Sequence, residues 1–138
     1  MRRFTTVLTI LLGIFPLTFG TRFLFDGTGA ATGFGITAAA GGFFPVKGIR
    51  DIALGLVILA LFALGQRRST GIIMAVIAIV PITDAIIVTT HGGSLAYALM
   101  VHALTAAIML LDATLLLRER PRTPQTPDTR TVTAAPSL

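Results

Sequence analysis

Four apolar runs, each close to the length that crosses a lipid bilayer, occupy most of this chain. They are Phe4–Gly20, Val46–Gly65, Gly71–Val88 and Leu95–Leu117. A helix rises about 1.5 Å per residue, so roughly 20 residues span a hydrocarbon core about 30 Å thick. With lipid as the solvent, every polar side chain reads differently. An aspartate on a helix in water is ordinary; inside a bilayer it needs a partner or a purpose. Composition agrees, with 54% hydrophobic and only 12% charged residues. Soluble domains carry about twice that charged fraction, so too little polar surface exists to coat a water-soluble globule. The chain is expected to be all-α: an antiparallel four-helix bundle, multi-pass in the cell membrane, with the lipid bilayer as its first partner.

The chain has no cysteine, which excludes thiolate nucleophiles, disulfide exchange and Cys-ligated metal centres. The net charge of +5 does not point to nucleic acid, because no basic patch is interleaved with aromatics. The arginines flank the spans instead and set their orientation. One set of flanks holds Arg2, Arg3, Arg67, Arg68, Arg118, Arg120, Arg122 and Arg130; the other holds Arg22, Lys47 and Arg50. The richer side is the cytoplasm, so both termini and the Gln66–Thr70 loop are expected there. The connections Thr21–Pro45 and Thr89–Ser94 then face outward. The first run follows Arg2 and Arg3 as a signal peptide would. It is longer than a signal core, and Leu17-Thr18-Phe19-Gly20 is a poor cleavage site, so it reads as a retained helix. The glycine-rich stretch Asp26–Gly42 reads as a loop with one short interfacial helix, or as a re-entrant segment. After Arg118, prolines among threonines and arginines predict a disordered cytoplasmic tail over residues 119–138.

The second run carries charges that do not belong in lipid. Its uncharged part, Ile52–Gly65, would make only about 21 Å of helix, so the helix must start near Val46. Arg50 and Asp51 then lie about 6–8 Å inside the outer boundary. Lys47 and Asp51 are four residues apart and can pair on one face. Arg50 is left to seek an anion, and Asp84 in the third run lies at similar depth. Pro81, just before Asp84, frees a carbonyl one turn back and can bend the helix. In the fourth run, His102 lies about 10 Å below the same boundary, flanked on its own face by Ala98 and Ala106, where a neighbouring helix can come close. Arg50, Asp51, Asp84 and His102 therefore form the candidate site, with Lys47 and Pro81 auxiliary. Asp112 lies about 15 Å further along and reads as structural, either snorkelling toward the cytoplasm or meeting Arg67 or Arg68. His91 reads as an exposed turn residue. No metal, haem or other cofactor is implied, and Gly27-Thr28-Gly29 lacks the strand-to-helix setting of a phosphate loop.

The set Val46-Lys47-Gly48-Ile49-Arg50-Asp51, Pro81-Ile82-Thr83-Asp84, His91-Gly92-Gly93 and Val101-His102-Ala103 resembles a family of small bacterial and fungal membrane proteins, a domain of unknown function (family 4267). The similarity covers roughly Phe4–Arg118, with Arg22-Phe23-Leu24 and Gly33-Phe34-Gly35 in the outer connection. The resemblance implies a four-helix integral membrane protein and brings no activity with it. Three readings compete. In the first, a non-enzymatic structural or accessory protein is held together by its polar cluster. The second is a proton-coupled transporter, which at this size needs a homo-oligomer, with Ala103 and Ala107 as an interface. The third is a membrane-embedded enzyme using Asp51 or Asp84 with His102 as acid and base on an apolar substrate.

Overall fold

The structure is a computed structural model and describes residues 2–34 and 43–119. The expected tail beyond residue 119, with Arg120, Arg122 and Arg130, lies outside the described residues, as does the 35–42 part of the glycine-rich stretch. The described residues are mostly helical, without strands. In order they form α1 (Arg2–Phe25), α2 (Gly27–Phe34), α3 (Phe43–Ala63), α4 (Arg67–Ile77), α5 (Ile79–Thr90), α6 (Leu95–Tyr97), a π-helical segment (Ala98–Ala103) and α7 (Leu104–Arg118).

By length and composition, three helical stretches suffice to cross a membrane: Arg2–Phe25, Arg67–Thr90 and Leu95–Arg118. Large apolar side chains point away from the protein on all of them, including Leu11 at 59%, Ile79 at 60% and Met100 at 69% exposure. Such a surface is costly in water and free of cost in lipid. The 21-residue α3 is long enough as well, but it carries Lys47, Arg50 and Asp51 in its first half.

The first helix continues past its expected end at Gly20. Thr21–Phe25 contains no helix breaker, and the Asp26 amide still donates to the Arg22 carbonyl at 2.8 Å. Asp26 then accepts from the Gly29 amide at 3.0 Å, capping the start of α2. The described residues of the connection Thr21–Pro45 are thus helical apart from Asp26, with α2 as the short helix expected in Asp26–Gly42. Pro45 sits in the first turn of α3, where its missing N–H is no loss. At the other end of α3, Gly65 adopts φ +73°, and the Gln66 amide reaches back to the Leu61 carbonyl at 3.0 Å. Gly92, at φ +80°, ends α5 in the same way, with Gly93 donating to the Val88 carbonyl at 2.8 Å. Both are left-handed C-caps of the type glycine makes readily.

Glycines also set the packing between α1 and α3. A Cβ on Gly20 would stand 2.5 Å from the Gly48 carbonyl oxygen, and one on Gly55 would stand 2.6 Å from that of Gly13. The two backbones therefore touch at two levels. Elsewhere, Ile58, Met74, Ala78, Met109, Ala113 and Leu116 form one apolar core cluster, and Phe23, Ala30, Ala31, Phe34, Val88 and Ala98 form another. The second cluster seats α2 against the bundle and places Phe34 beside the polar side chains.

Candidate functional site

One cavity of about 80 Å³ has in its wall Lys47 and Asp51 of α3, Pro81 and Asp84 of α5, His102 of the π-helical segment, and Phe34 at the end of α2. Apart from Thr105, the rest of the wall is apolar, including Phe15, Phe19, Ile58 and Met109.

Lys47 is the centre of the charge network. Its ammonium donates to Asp51 at 3.0 Å, as the four-residue spacing leads one to expect. It also lies 3.9 Å from an Asp84 oxygen, which ties α3 to α5. The ammonium stands 4.4 Å from the ring centre of Phe34 and 5.1 Å from that of Phe23, so its charge is shared between carboxylates and aromatic faces. Arg50 does not pair with Asp84. Its side chain is 50% exposed and contacts its neighbour Asp51 at 3.4 Å. The expected roles of the two cations are therefore exchanged. Buried positions on α3 are Gly48, Asp51, Gly55 and Ile58. At about 100° per residue, Lys47 lies about 40° from Asp51 on this face, whereas Arg50 falls about 200° from Gly48. Asp84 has no hydrogen-bond partner among the described residues, and its carboxylate lies along the cavity wall with its side chain 16% exposed.

His102 is buried, and its Nε2 lies 3.0 Å from the carbonyl oxygen of Phe34. A carbonyl only accepts, so Nε2 carries the proton. The Tyr97 hydroxyl donates to the carbonyl of Gly33. The last carbonyls of a helix have no partner of their own; here two of them, at the end of α2, are taken by Tyr97 and His102. The π-helical segment makes this reach possible. In an α-helix, five residues advance about 500°, leaving Tyr97 and His102 about 140° apart. The wider i to i+5 turn reduces that separation to about 50°, and the two rings meet edge to face at 6.1 Å. Tyr97→Phe is expected to cost about 1 kcal/mol, and His102→Ala about 1–3 kcal/mol because a carbonyl is left unpaired. Hydrogen exchange should speed up in α2 before the rest of the bundle.

A second polar network lies toward the other end of the bundle. Asp112 is fully buried, one of its oxygens 2.6 Å from the Thr9 hydroxyl, while Oδ1 has no partner among the described residues. It makes no ion pair with Arg67 or Arg68 among the described residues. Arg67 instead binds Glu119 through Nε and Nη2, and Thr5 at 2.7 Å. The Arg67 guanidinium, with a smaller contribution from the Thr5 hydroxyl, holds the Glu119 carboxyl below its ordinary value of 4.5. A depressed carboxyl pKa stabilises the fold above the unfolded value, and that stability is lost as pH falls through the folded value. Acidification below about pH 4.5 should therefore lower the melting temperature of the native chain more than that of Glu119→Gln. Equal losses would show that the pair contributes nothing.

Sequence reasoning brought Asp51, Asp84 and His102 to one place but missed Tyr97, Phe34, Thr5, Thr9 and Glu119. Tyr97 is the single tyrosine, five residues before His102, and Thr5 and Thr9 share a face at i, i+4. Those were the available signals. Among the described residues no group of three His, Asp or Glu is placed to hold a metal ion.

No curated protein and no solved structure matches the chain. One family does: the sequence model described as "Domain of unknown function (DUF4267)" matches residues 13–116, a stretch that contains α3, the cavity wall apart from Leu12, and every residue of the candidate site. The chain is a member of the DUF4267 family.

Proposed function

We propose that the protein is a non-enzymatic accessory protein of the cell membrane, an antiparallel bundle of four crossings with both termini cytoplasmic, whose outer-side polar cluster walls a small ligand cavity. The fourth crossing is α3. Its 21 residues reach about 31 Å, and Lys47 is paired with Asp51 inside the protein, which reduces the cost of charge in lipid. The antiparallel arrangement is supported by contacts that run in opposite directions along α1 and α3: Gly13 lies against Gly55, and Gly20 against Gly48. The arginine-rich side of the chain supports the orientation.

The observation that carries the ligand reading is Asp84. A carboxylate kept only to hold helices together would be fully paired, because a buried charge without partners is destabilising. Asp84 has only the Lys47 ammonium at 3.9 Å and otherwise borders the cavity. Its network partners have structural duties: Lys47 binds Asp51, and His102 spends its Nε2 proton on the Phe34 carbonyl. Asp84→Asn is expected to insert normally and to melt at or above the temperature of the native protein, since it removes a poorly paired charge. A loss of more than about 2 kcal/mol, the scale of a broken buried network, would return Asp84 to a purely structural role.

A further inference from the structure

We propose that the cavity is a binding site for the ammonium head of a single-chain alkylamine. The inference rests on the reading of the cavity as a ligand site and names the ligand's chemistry. The charged side chains in its wall are Lys47, Asp51 and Asp84. Asp51 is met twice, by Lys47 at 3.0 Å and by Arg50 at 3.4 Å. Asp84 is met by Lys47 alone among the described residues, at 3.9 Å, and has no hydrogen bond there. Asp84 is therefore the carboxylate with room for a further cation, and the N–H groups of a ligand ammonium would donate to it.

The wall already holds an ammonium by the same means. Lys47 combines a carboxylate at 3.0 Å with an aromatic face at 4.4 Å. Beyond Asp84 the wall offers Phe15 and Phe19, whose ring centres are 5.0 Å apart, and aromatic faces attract cations most strongly where water is excluded. Size sets the rest of the ligand. One water needs about 10–15 Å³ of such cavity space, so about 80 Å³ takes a head group and its first methylenes. The chain must continue elsewhere. Phe15 lines the cavity and is also 41% exposed on the apolar outer surface, which gives an alkyl chain an exit into the surrounding lipid. An anionic amphiphile of the same shape would set its carboxylate against Asp51 and Asp84 and be repelled.

The test uses the full chain in phosphatidylcholine nanodiscs, with protein-free discs as the blank. Titration calorimetry compares hexylammonium, hexanol and hexanoate. The expected result is saturable hexylammonium binding, with hexanol at least tenfold weaker and hexanoate undetectable. Asp84→Asn should weaken hexylammonium at least tenfold, whereas Asp112→Asn, an equal change of charge outside the wall, should leave it within twofold. The ligand series needs no variant, so misfolding of Asp84→Asn would not blunt the test. Hexanol binding as tightly as hexylammonium would overturn the ammonium assignment and leave the cavity reading standing. No binding by any of the three would overturn both. Repeating the titration in discs containing phosphatidylethanolamine separates two sources of the head group. Competition by the lipid supports the site and assigns it to a lipid amine; unchanged affinity supports it and assigns it to a free amine.

Discussion

Gly48→Ala should destabilise the protein by about 1–3 kcal/mol, the usual cost of overpacking a filled interior, and Gly48→Leu should abolish recovery of folded protein. The reason is backbone contact. A Cβ at Gly48 would stand 2.7 Å from the Gly20 carbonyl oxygen, with Leu24 side-chain atoms at 3.0 and 3.1 Å. The leucine can move, but the carbonyl belongs to α1 and cannot move without shifting that helix. Membrane helices associate through such small-residue contacts because lipid supplies no hydrophobic drive between them. Gly65→Ala is the contrasting case. Nothing lies within 4 Å of a Cβ there, and its cost comes from positive φ alone, about 1–2 kcal/mol. Equilibrium unfolding in mild detergent, read by circular dichroism, compares the variants. A Gly48→Ala protein as stable as the native chain would mean that α1 and α3 do not pack as described.

Lys47→Met is the second change with a large expected effect. Among the described residues it removes the one cation within 4 Å of both Asp51 and Asp84. Breaking a buried pair by deleting one partner costs about 3–5 kcal/mol. The lower end applies here, because Arg50 still contacts Asp51 at 3.4 Å and the Lys47 side chain is 20% exposed. Adding Asp51→Asn should recover much of the loss, since the pair is then removed together. Arg50→Met, by contrast, should change stability by less than about 1 kcal/mol, as expected of a solvent-facing or headgroup-facing pair. If Arg50→Met proved the more damaging of the two, the exchange of roles between these cations would be wrong.

That exchange marks where the sequence stopped being legible. The pairing of Lys47 with Asp51 follows from spacing alone. The common depth of Asp51, Asp84 and His102 follows from counting residues in from the ends of their runs. Which cation faces inward depends on helix rotation, and the stripe Gly48, Asp51, Gly55 and Ile58 encodes it: two glycines admit α1, and Arg50 falls off that face. The stripe is visible in the sequence once glycine is counted as an interior residue, as membrane packing requires. α2 was harder to foresee. Its glycines and alanines have no strong helical signal, and its end is held by Tyr97 and His102 from a span more than sixty residues away. The π-helical segment depends on that same long-range contact. Asp112 was assigned to the arginines; its partner is Thr9 near the other end of the described chain, which only the packing of the first helix against the last brings near.

The central claim is that α3 crosses the membrane although it carries three charged residues, and site-directed labelling tests it most directly. The chain has no native cysteine, so single cysteines at Asp26, Gln66, Ser94 and Glu119 can each be challenged with a membrane-impermeant maleimide in intact and in permeabilised cells. Four crossings require alternation: positions 26 and 94 label from outside, 66 and 119 only after permeabilisation. If 26 and 66 label from the same side, α3 does not cross, and Lys47, Asp51 and Asp84 do not form an intramembrane site.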